Sequence, residues 1–462
     1  MCRRSDDDGR APIERSGINH DSSRTGDCPY GTNEVVAEAI DRNSGLYDPE
    51  LEAMSADRRR AYHAERLHAA VKHAYDHSPH FRRRMEHAGL TPAAITQVHD
   101  LARLPVLKKS TLPQLQKQDL PFGGLLAAPL SEVSRIFQSP GPLYEPEGRE
   151  PDYWRMARAF YAGGFRPGDL VQVTFAYHLS PGGWICDGGL RALGCAVVPG
   201  GVGNTELQAQ LLRDLRVTGY VGTAAFLSTL IAKAEEMGYN VLEDLCLRVA
   251  SVSGAMMAES MRHMMADRFR LTIRQVYAIG DLGLVGYECQ EASGMHIADD
   301  LILQIVDPQS GTKLEVGQSG EVVVTRFDHL YPLIRFGTGD LSAVTTEPCR
   351  CGRTSARLTR IMGRVDEVTK IKGMFVHPRQ VDEVVAAFPE VIRYQVVVRL
   401  KGHDDQMAYL VELASGVKPE PLLTKLRDKT KELLKIAANV EVVPPGTIVE
   451  GAKKILDERR WD

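Results

Sequence analysis

Long apolar runs are missing from these 462 residues. None approaches the roughly 18 residues of a membrane span, and no apolar leader follows Met1, so the chain reads as cytoplasmic with no membrane partner. Charge of one sign is missing as well. Against 60 acidic residues stand 56 basic ones, a net charge of -4, with no general basic footprint for nucleic acid. Cysteine is sparse: eight positions (2, 28, 186, 195, 246, 289, 349 and 351) in so long a chain form no disulfide framework, which leaves free thiols or metal ligands. Internal repeats and low-complexity tracts are absent. What remains is an ordinary globular composition, 43% apolar and 25% charged, with length for two or three domains.

Residues 1–34 are polar and carry no hydrophobic period, which predicts a flexible extension. A helical pattern runs from Pro49 to a stop at Gly89, and its histidines and arginines read as a solvated face. Residues 168–280 alternate strand and helix: strand Leu170–Phe175, an amphipathic segment to Leu193, strand Cys195–Pro199, helix 205–216, strand Tyr220–Gly222, helix 225–237, strand Arg248–Ser253, helix 257–268 and strand Arg274–Ile279. Such repeats predict a mostly parallel sheet covered on both faces, with ligands beyond the carboxyl ends of its strands. Past residue 295 the pattern is strand-rich, and from Arg364 a small α+β lobe of about 100 residues follows. The predicted class is therefore α/β: a large domain (35–363) of mostly parallel helix-covered sheets with a strand-rich subdomain, then a small mobile α+β domain (364–462).

The stretch 331–373 organises this plan. YPLIRFGTGD reads as an apolar strand, Tyr331 to Phe336, ending in Gly337-Thr338-Gly339-Asp340. Glycines there permit close backbone approach to a ligand, and Asp340 at a sheet rim suits a ribose diol, since a carboxylate accepts two hydroxyl hydrogen bonds at once. In GRVDEVTKIKG, Arg364 and Asp366 stand where the large and small domains join. This predicts a two-domain enzyme that handles a nucleotide and an acyl group, with the joint as its moving part.

Several ordered blocks resemble the phenylacetate–coenzyme A ligase branch of the AMP-forming, adenylate-forming ligases: LYDPELEAMSADRRRAYHAERL, SPHFRRRMEHAGL, GGVGNTELQAQLLRDLRVTGYVGT, ECQEASGMHIADD and CRCGRT, spanning roughly residues 45–462. The resemblance implies that a carboxylic acid and ATP give an acyl-adenylate, after which the small domain swings and coenzyme A displaces AMP. It implies Asp340 on the ribose hydroxyls, Tyr277 and Ala278 at the adenine, and Ser253, Gly254 and Ala255 along the nucleotide and acyl pocket. Asp281 stands where the family has Glu, near magnesium and the phosphates. Arg364 lies on the ribose–phosphate side, Asp366 at the pivot and Gly373 on the pantetheine path. Lys453, or alternatively Lys454, takes the place of the lysine that contacts the acid and α-phosphate during adenylation. Tyr177, His178, Gly182 and Gly280 fall where the acyl pocket opens, with His178 able to hydrogen-bond a polar acyl group or gate entry. Partners would be a small carboxylic acid, ATP and coenzyme A, with a homodimer left open.

The family's phosphate loop, SSGTTGKP, aligns here with Ser139-Pro140-Gly141-Pro142-Leu143-Tyr144-Glu145-Pro146. Ser139, Gly141 and Pro146 remain. Two prolines remove backbone donors, and Glu145 replaces the lysine, so the expected grip on a triphosphate is poor. This departure keeps a second reading open: a homologue that binds nucleotide, acyl-adenylate or coenzyme A without adenylation, as a sensor or partner protein. Lastly, Cys289, His296, Cys349 and Cys351 offer three sulfurs and one nitrogen. That set suits a closed, structural tetrahedral zinc site, with separate buried thiols as the other reading.

Overall fold

The computed structural model describes residues 41–459, apart from 140–141, 256, 366–368, 373, 377 and 402–403. The expected extension over 1–34 lies outside them. After a single helical turn at Pro49–Glu52 come two longer helices, α1 (Ala56–His77) and α2 (Pro79–His87). Ser55 and Ser78 cap them by accepting from the N–H groups of Arg58 and Phe81, so Ser78-Pro79 restarts the helix inside what the pattern showed as one segment. Leu67, Val71, Phe81 and Met85 on these helices pack with Ile302 and Ile334 of the strand-rich region.

Helix α3 (Leu112–Gln118) precedes a hairpin of β1 (Arg135–Ser139) and β2 (Leu143–Glu147). The segment 139–146 is thus not an open loop. Ser139 pairs with Leu143, Gln138 with Tyr144, Phe137 with Glu145 and Ile136 with Pro146. A strand proline is tolerated here because a two-stranded ribbon has only edges.

The alternating region folds as β3 (Leu170–Val173), α4 (Gly182–Leu193), β4 (Ala196–Pro199), α5 (Thr205–Asp214), β5 (Gly219–Gly222), α6 (Ala224–Glu236), β6 (Val249–Val252), α7 (Glu259–Phe269) and β7 (Thr272–Ile279). Antiparallel additions follow: β8 (Gly283–Tyr287) and β9 (Met295–Ile297). Among the described residues the sheet has nine strands, with the parallel order β7-β6-β5-β3-β4 at its centre and one end. Side-chain alternation covers it on both faces. Val249 joins the core that includes Leu190 of α4, and its neighbour Ala250 joins the core formed with α5, α6 and α7.

A second sheet is built from β10 (Leu301–Val306), β11 (Gly320–Arg326) and β12 (Phe336–Ser342), joined by β13 (Gly363–Arg364) along β12. Here the sequence expectation needs correcting. Residues 331–335 are not a strand, because Arg335 takes a left-handed φ of 53° and its guanidinium donates to the carbonyls of Ala102, Leu104 and Gly311. The strand starts at Phe336, and Gly337 to Asp340 lie inside it rather than beyond its end.

The small lobe comprises the hairpin β14 (Thr369–Ile371) and β15 (Met374–Val376), then α8 (Pro378–Ala386), β16 (Val391–Lys401), β17 (Asp404–Leu413), α9 (Pro419–Leu434), β18 (Ala438–Val442) and β19 (Ile455–Asp457). Its four-stranded sheet runs β18-β17-β16-β19. Val381, Val396, Tyr409, Leu426 and Ile455 belong to a core made of the lobe's own residues. Among the described residues no helix is long and apolar enough to cross a membrane.

Candidate active site

Two groups of buried polar side chains meet at the carboxyl end of β7. The first centres on Asp340, which is 8% exposed. Its Oδ2 accepts from the Tyr277 hydroxyl at 2.7 Å and its Oδ1 from Arg364 Nη1 at 2.8 Å. A bulge in the β7–β8 pairing falls at Tyr277 and re-aims that side chain. Burial, then Asp340, hold the Tyr277 hydroxyl well above its usual pKa, so it stays a donor. A carboxylate offers about four acceptor positions, which leaves Asp340 room for two more hydrogen bonds. The flanking glycines serve a different neighbour from the ligand the sequence suggested. A Cβ on Gly337 would lie 2.6 Å from Glu321 Oε1, and the Gly339 N–H donates to that same oxygen at 3.1 Å. Glu321, buried beneath the strand, thereby sets the backbone that presents Asp340. No local sequence signal marked it.

The second group is Asp281, Lys109, Glu145 and Ser139. Lys109 Nζ lies 2.5 Å from Asp281 Oδ2, while Asp281 Oδ1 is buried without a partner. Glu145, 1% exposed on β2, accepts from Ser139 Oγ at 3.0 Å through Oε1 and keeps Oε2 buried and unpartnered. Burial, then Asp281, push its pKa up to about 8, with Lys109 and Ser139 acting the other way. For Lys109, burial lowers the pKa, but Asp281 and then Glu145 outweigh it and the ammonium is favoured. Arg364 is close enough to oppose this, which places the two groups side by side. Gly280 leaves the room Glu145 needs, since a Cβ there would lie 2.6 Å from Glu145 Oε1. Sequence reasoning missed Lys109, which lies 172 positions from its partner Asp281.

Ser253, Gly254 and Ala255 follow β6 as expected, with Gly254 at φ +87°. Tyr177 packs edge-on against Trp184 at 5.3 Å, and a Cβ on Gly183 would meet its ring at 2.7 Å. Gly182, by contrast, has ordinary room, 3.4 Å from Phe175. His178 is exposed. The hairpin joins this loop through Gln138 N–H to Leu179 O at 2.8 Å. Lys453 is carried on the small lobe, exposed, where its carbonyl accepts from Gln395 Nε2 at 2.9 Å. Lys454 is committed within the lobe, 2.5 Å from Asp382 Oδ1 and 3.2 Å from the Tyr394 hydroxyl. Gly141, Asp366 and Gly373 lie outside the described residues.

The four metal-type residues converge. One ligand atom from each of Cys289, His296, Cys349 and Cys351 lies within 4.8 Å of all the others. Cys289 and Cys349 sulfurs are 3.7 Å apart, and Cys351 Sγ is 3.3 Å from His296 Nε2. The other imidazole nitrogen, Nδ1, is held 3.3 Å from both Oγ and the carbonyl of Ser355, which frees Nε2 to act as a ligand. Hydrogen bonding from Cys289 favours the thiolate at Cys351, while the same pairing pushes Cys289 up.

Comparison with known proteins adds relatives to this geometry. Residues 373–459 match the family described as AMP-binding enzyme C-terminal domain. A phenylacetate–coenzyme A ligase of Thermus thermophilus is 33% identical over 450 residues, covering 90% of this chain and all of that protein. One from Escherichia coli is 31% identical over 425 residues, covering 87% and 94%. The fold superposes on 2-hydroxyisobutyryl-CoA ligase bound to its acyl-AMP and CoA in the thioester-forming state, with a TM-score of 0.81, 25% identity, and 92% and 94% of the two chains covered. Against the same enzyme in the postadenylation state, at equal coverage, the TM-score is 0.67.

Proposed function

This chain belongs to the phenylacetate–coenzyme A ligase family, and we propose that it is an AMP-forming acid–CoA ligase. A carboxylic acid would attack the α-phosphorus of ATP and release pyrophosphate, and the thiol of coenzyme A would then displace AMP from the acyl carbon. The observation that carries this reading is Asp340, held between Tyr277 and Arg364 with acceptor positions to spare on a strand that hydrogen-bonds to the segment leading into the small lobe.

In this reading Asp340 binds the ribose diol, and Tyr277, Ala278 and residues 253–255 border the adenine. Arg364 neutralises charge on the α-phosphate. Ser139 and Gly141 face the phosphates, and the unpartnered Oδ1 of Asp281 suits magnesium arriving with the nucleotide. The acyl group lies toward Tyr177, His178, Gly182 and Gly280. Lys453 joins the acid and α-phosphate when the small lobe turns at Asp366, and the opposite pose brings Gly373 to the pantetheine arm. Adenylation and thioester formation need different groups at one carbon, which a lobe rotation supplies. Cys289, His296, Cys349 and Cys351 fit a structural zinc, since four protein ligands leave no open position. The work site would be the cytoplasm.

One observation favours a second reading, a protein that binds adenylate or coenzyme A without adenylating. Glu145 is fixed in a hairpin strand at the phosphate side of the pocket. Pyrophosphate release and thioester formation with a panel of aryl and short hydroxylated acids decide between them. Acid-dependent pyrophosphate together with thioester supports the ligase. Silence across the panel with AMP still bound supports the second reading.

A further inference from the structure

The charge around the phosphate side of the pocket is unusual for a site that must hold a triphosphate. Lys109 and Arg364 are cations there, and each faces a carboxylate, Asp281 and Asp340 respectively. Glu145 adds a third carboxyl group against Gly280 and Asp281. These five groups sum to zero formal charge with Glu145 protonated and to -1 with it ionised, so by themselves they supply no net positive charge, and that for a triphosphate has to come with magnesium. Glu145 also cannot swing aside cheaply. Gln116, 2% exposed, donates Nε2 to the Tyr144 carbonyl at 2.9 Å and accepts from the Tyr144 N–H at 2.8 Å. Glu147, on the same face of the strand, is held by Arg135 at 2.8 Å and by Trp154 Nε1 at 3.2 Å. The hairpin is therefore clamped from α3 on one side and from its own partner strand and Trp154 on the other.

We propose that Glu145 is a specificity-determining residue that favours a nucleotide with one phosphate over a triphosphate. The exchange of AMP for coenzyme A at an acyl carbon is then the half-reaction this site performs best, in either direction. The inference rests on the ligase reading above and narrows its preferred donor. An acyl-adenylate brings one negative charge past Arg364, whereas the tail of ATP, even with magnesium at Asp281, would press two further phosphates toward the buried, unpartnered Oε2 of Glu145. Protonated, Glu145 offers a triphosphate no counter-charge, and ionised it sets a like charge against it; building such a mismatch against one competitor is a recognised route to selectivity. The exchange balances without ATP. Forward, the carbon–sulfur bond forms, the carbon–oxygen bond to phosphate breaks, AMP leaves with the electron pair and the thiol proton passes to solvent. In reverse, an AMP phosphate oxygen attacks the thioester carbonyl and coenzyme A leaves as thiolate.

The test compares donors on the full-length protein, using synthetic phenylacetyl-adenylate and 2-hydroxyisobutyryl-adenylate with coenzyme A against the matching acids with magnesium ATP and coenzyme A. Thioester is expected from at least one adenylate at 100-fold or more the kcat/KM for ATP of the matching acid. Glu145→Gln is expected to shrink that ratio at least tenfold. Equal use of the two donors by the wild type, a comparison that needs no variant, overturns the inference and leaves the ligase reading standing. A ratio unmoved by a folded Glu145→Gln also overturns it. No thioester from any donor overturns the ligase reading itself and the inference with it.

Discussion

Asp340 shows how a side chain can be fixed by the protein and still keep acceptor positions open. Its two oxygens already hold Tyr277 and Arg364, so the site is arranged before any nucleotide arrives. Asp340→Ala should weaken AMP binding by roughly 10- to 100-fold, the effect of losing charge-assisted hydrogen bonds worth about 1.5–3 kcal/mol. Calorimetric titration with AMP checks it, and unchanged affinity would remove the nucleotide from this strand. A second residue governs acid stability. Burial, then Arg84 and Arg83, lower the pKa of His80 from its ordinary 6.5 to about 4. Between those values the unfolded chain binds more protons than the folded one. This group's contribution is therefore intact above about pH 6.5 and lost as pH falls toward about 4. Exchanging His80 for Gln should flatten part of the fall in Tm between about pH 7 and pH 5. At this scale the sequence singled out Asp340, Tyr277, Asp281 and Arg364 as candidates, because each sits in a local motif in a recognisable order, and the fold brings them side by side. It concealed Lys109 and Glu321, whose meaning comes only from partners brought in from elsewhere in the chain.

Elements with a strong period were legible, and those defined by one backbone angle were not. The strands and helices from Leu170 to Ile279 appear within two residues of their expected bounds, since alternation over a hundred residues leaves few other solutions. The apolar run 331–335 looked like a strand by composition, but the left-handed turn at Arg335 ends that possibility. The segment 139–146 read as a loop through its alignment with the family's phosphate loop, yet strand pairing resumes at Leu143. The hairpin depends on α3. Gln116→Ala would strip both backbone partners from Tyr144, costing roughly 1–3 kcal/mol of local stability. Hydrogen exchange at the Tyr144 amide should then lose about tenfold or more of its protection, and unchanged protection would contradict the clamp.

Across the whole molecule, the cysteine cluster ties distant parts together. Cys349 and Cys351 come from the connector after the second sheet, Cys289 and His296 from the far end of the first. Arg353, two residues past Cys351, pairs at 2.6 Å with Glu52 near the start of the described chain, and both side chains are fully buried. Purified protein should carry about one zinc per chain, the stoichiometry of a closed four-ligand site. Cys351→Ser should lower Tm by roughly 5–10 °C, since about 1 kcal/mol shifts Tm by 2–4 °C in domains of this size. Less than half an equivalent of metal would defeat the zinc assignment. The join between the lobes has a consequence of its own. Asp340 pairs with Arg364 and Leu341 with Gly363, so the strand that carries Asp340 and the strip that leads into the small lobe are joined in one ladder. On the proposed reading, occupancy of the pocket and orientation of the lobe would share a mechanical linkage, and a change that loosened the hold on the nucleotide would also slacken the tether of the lobe.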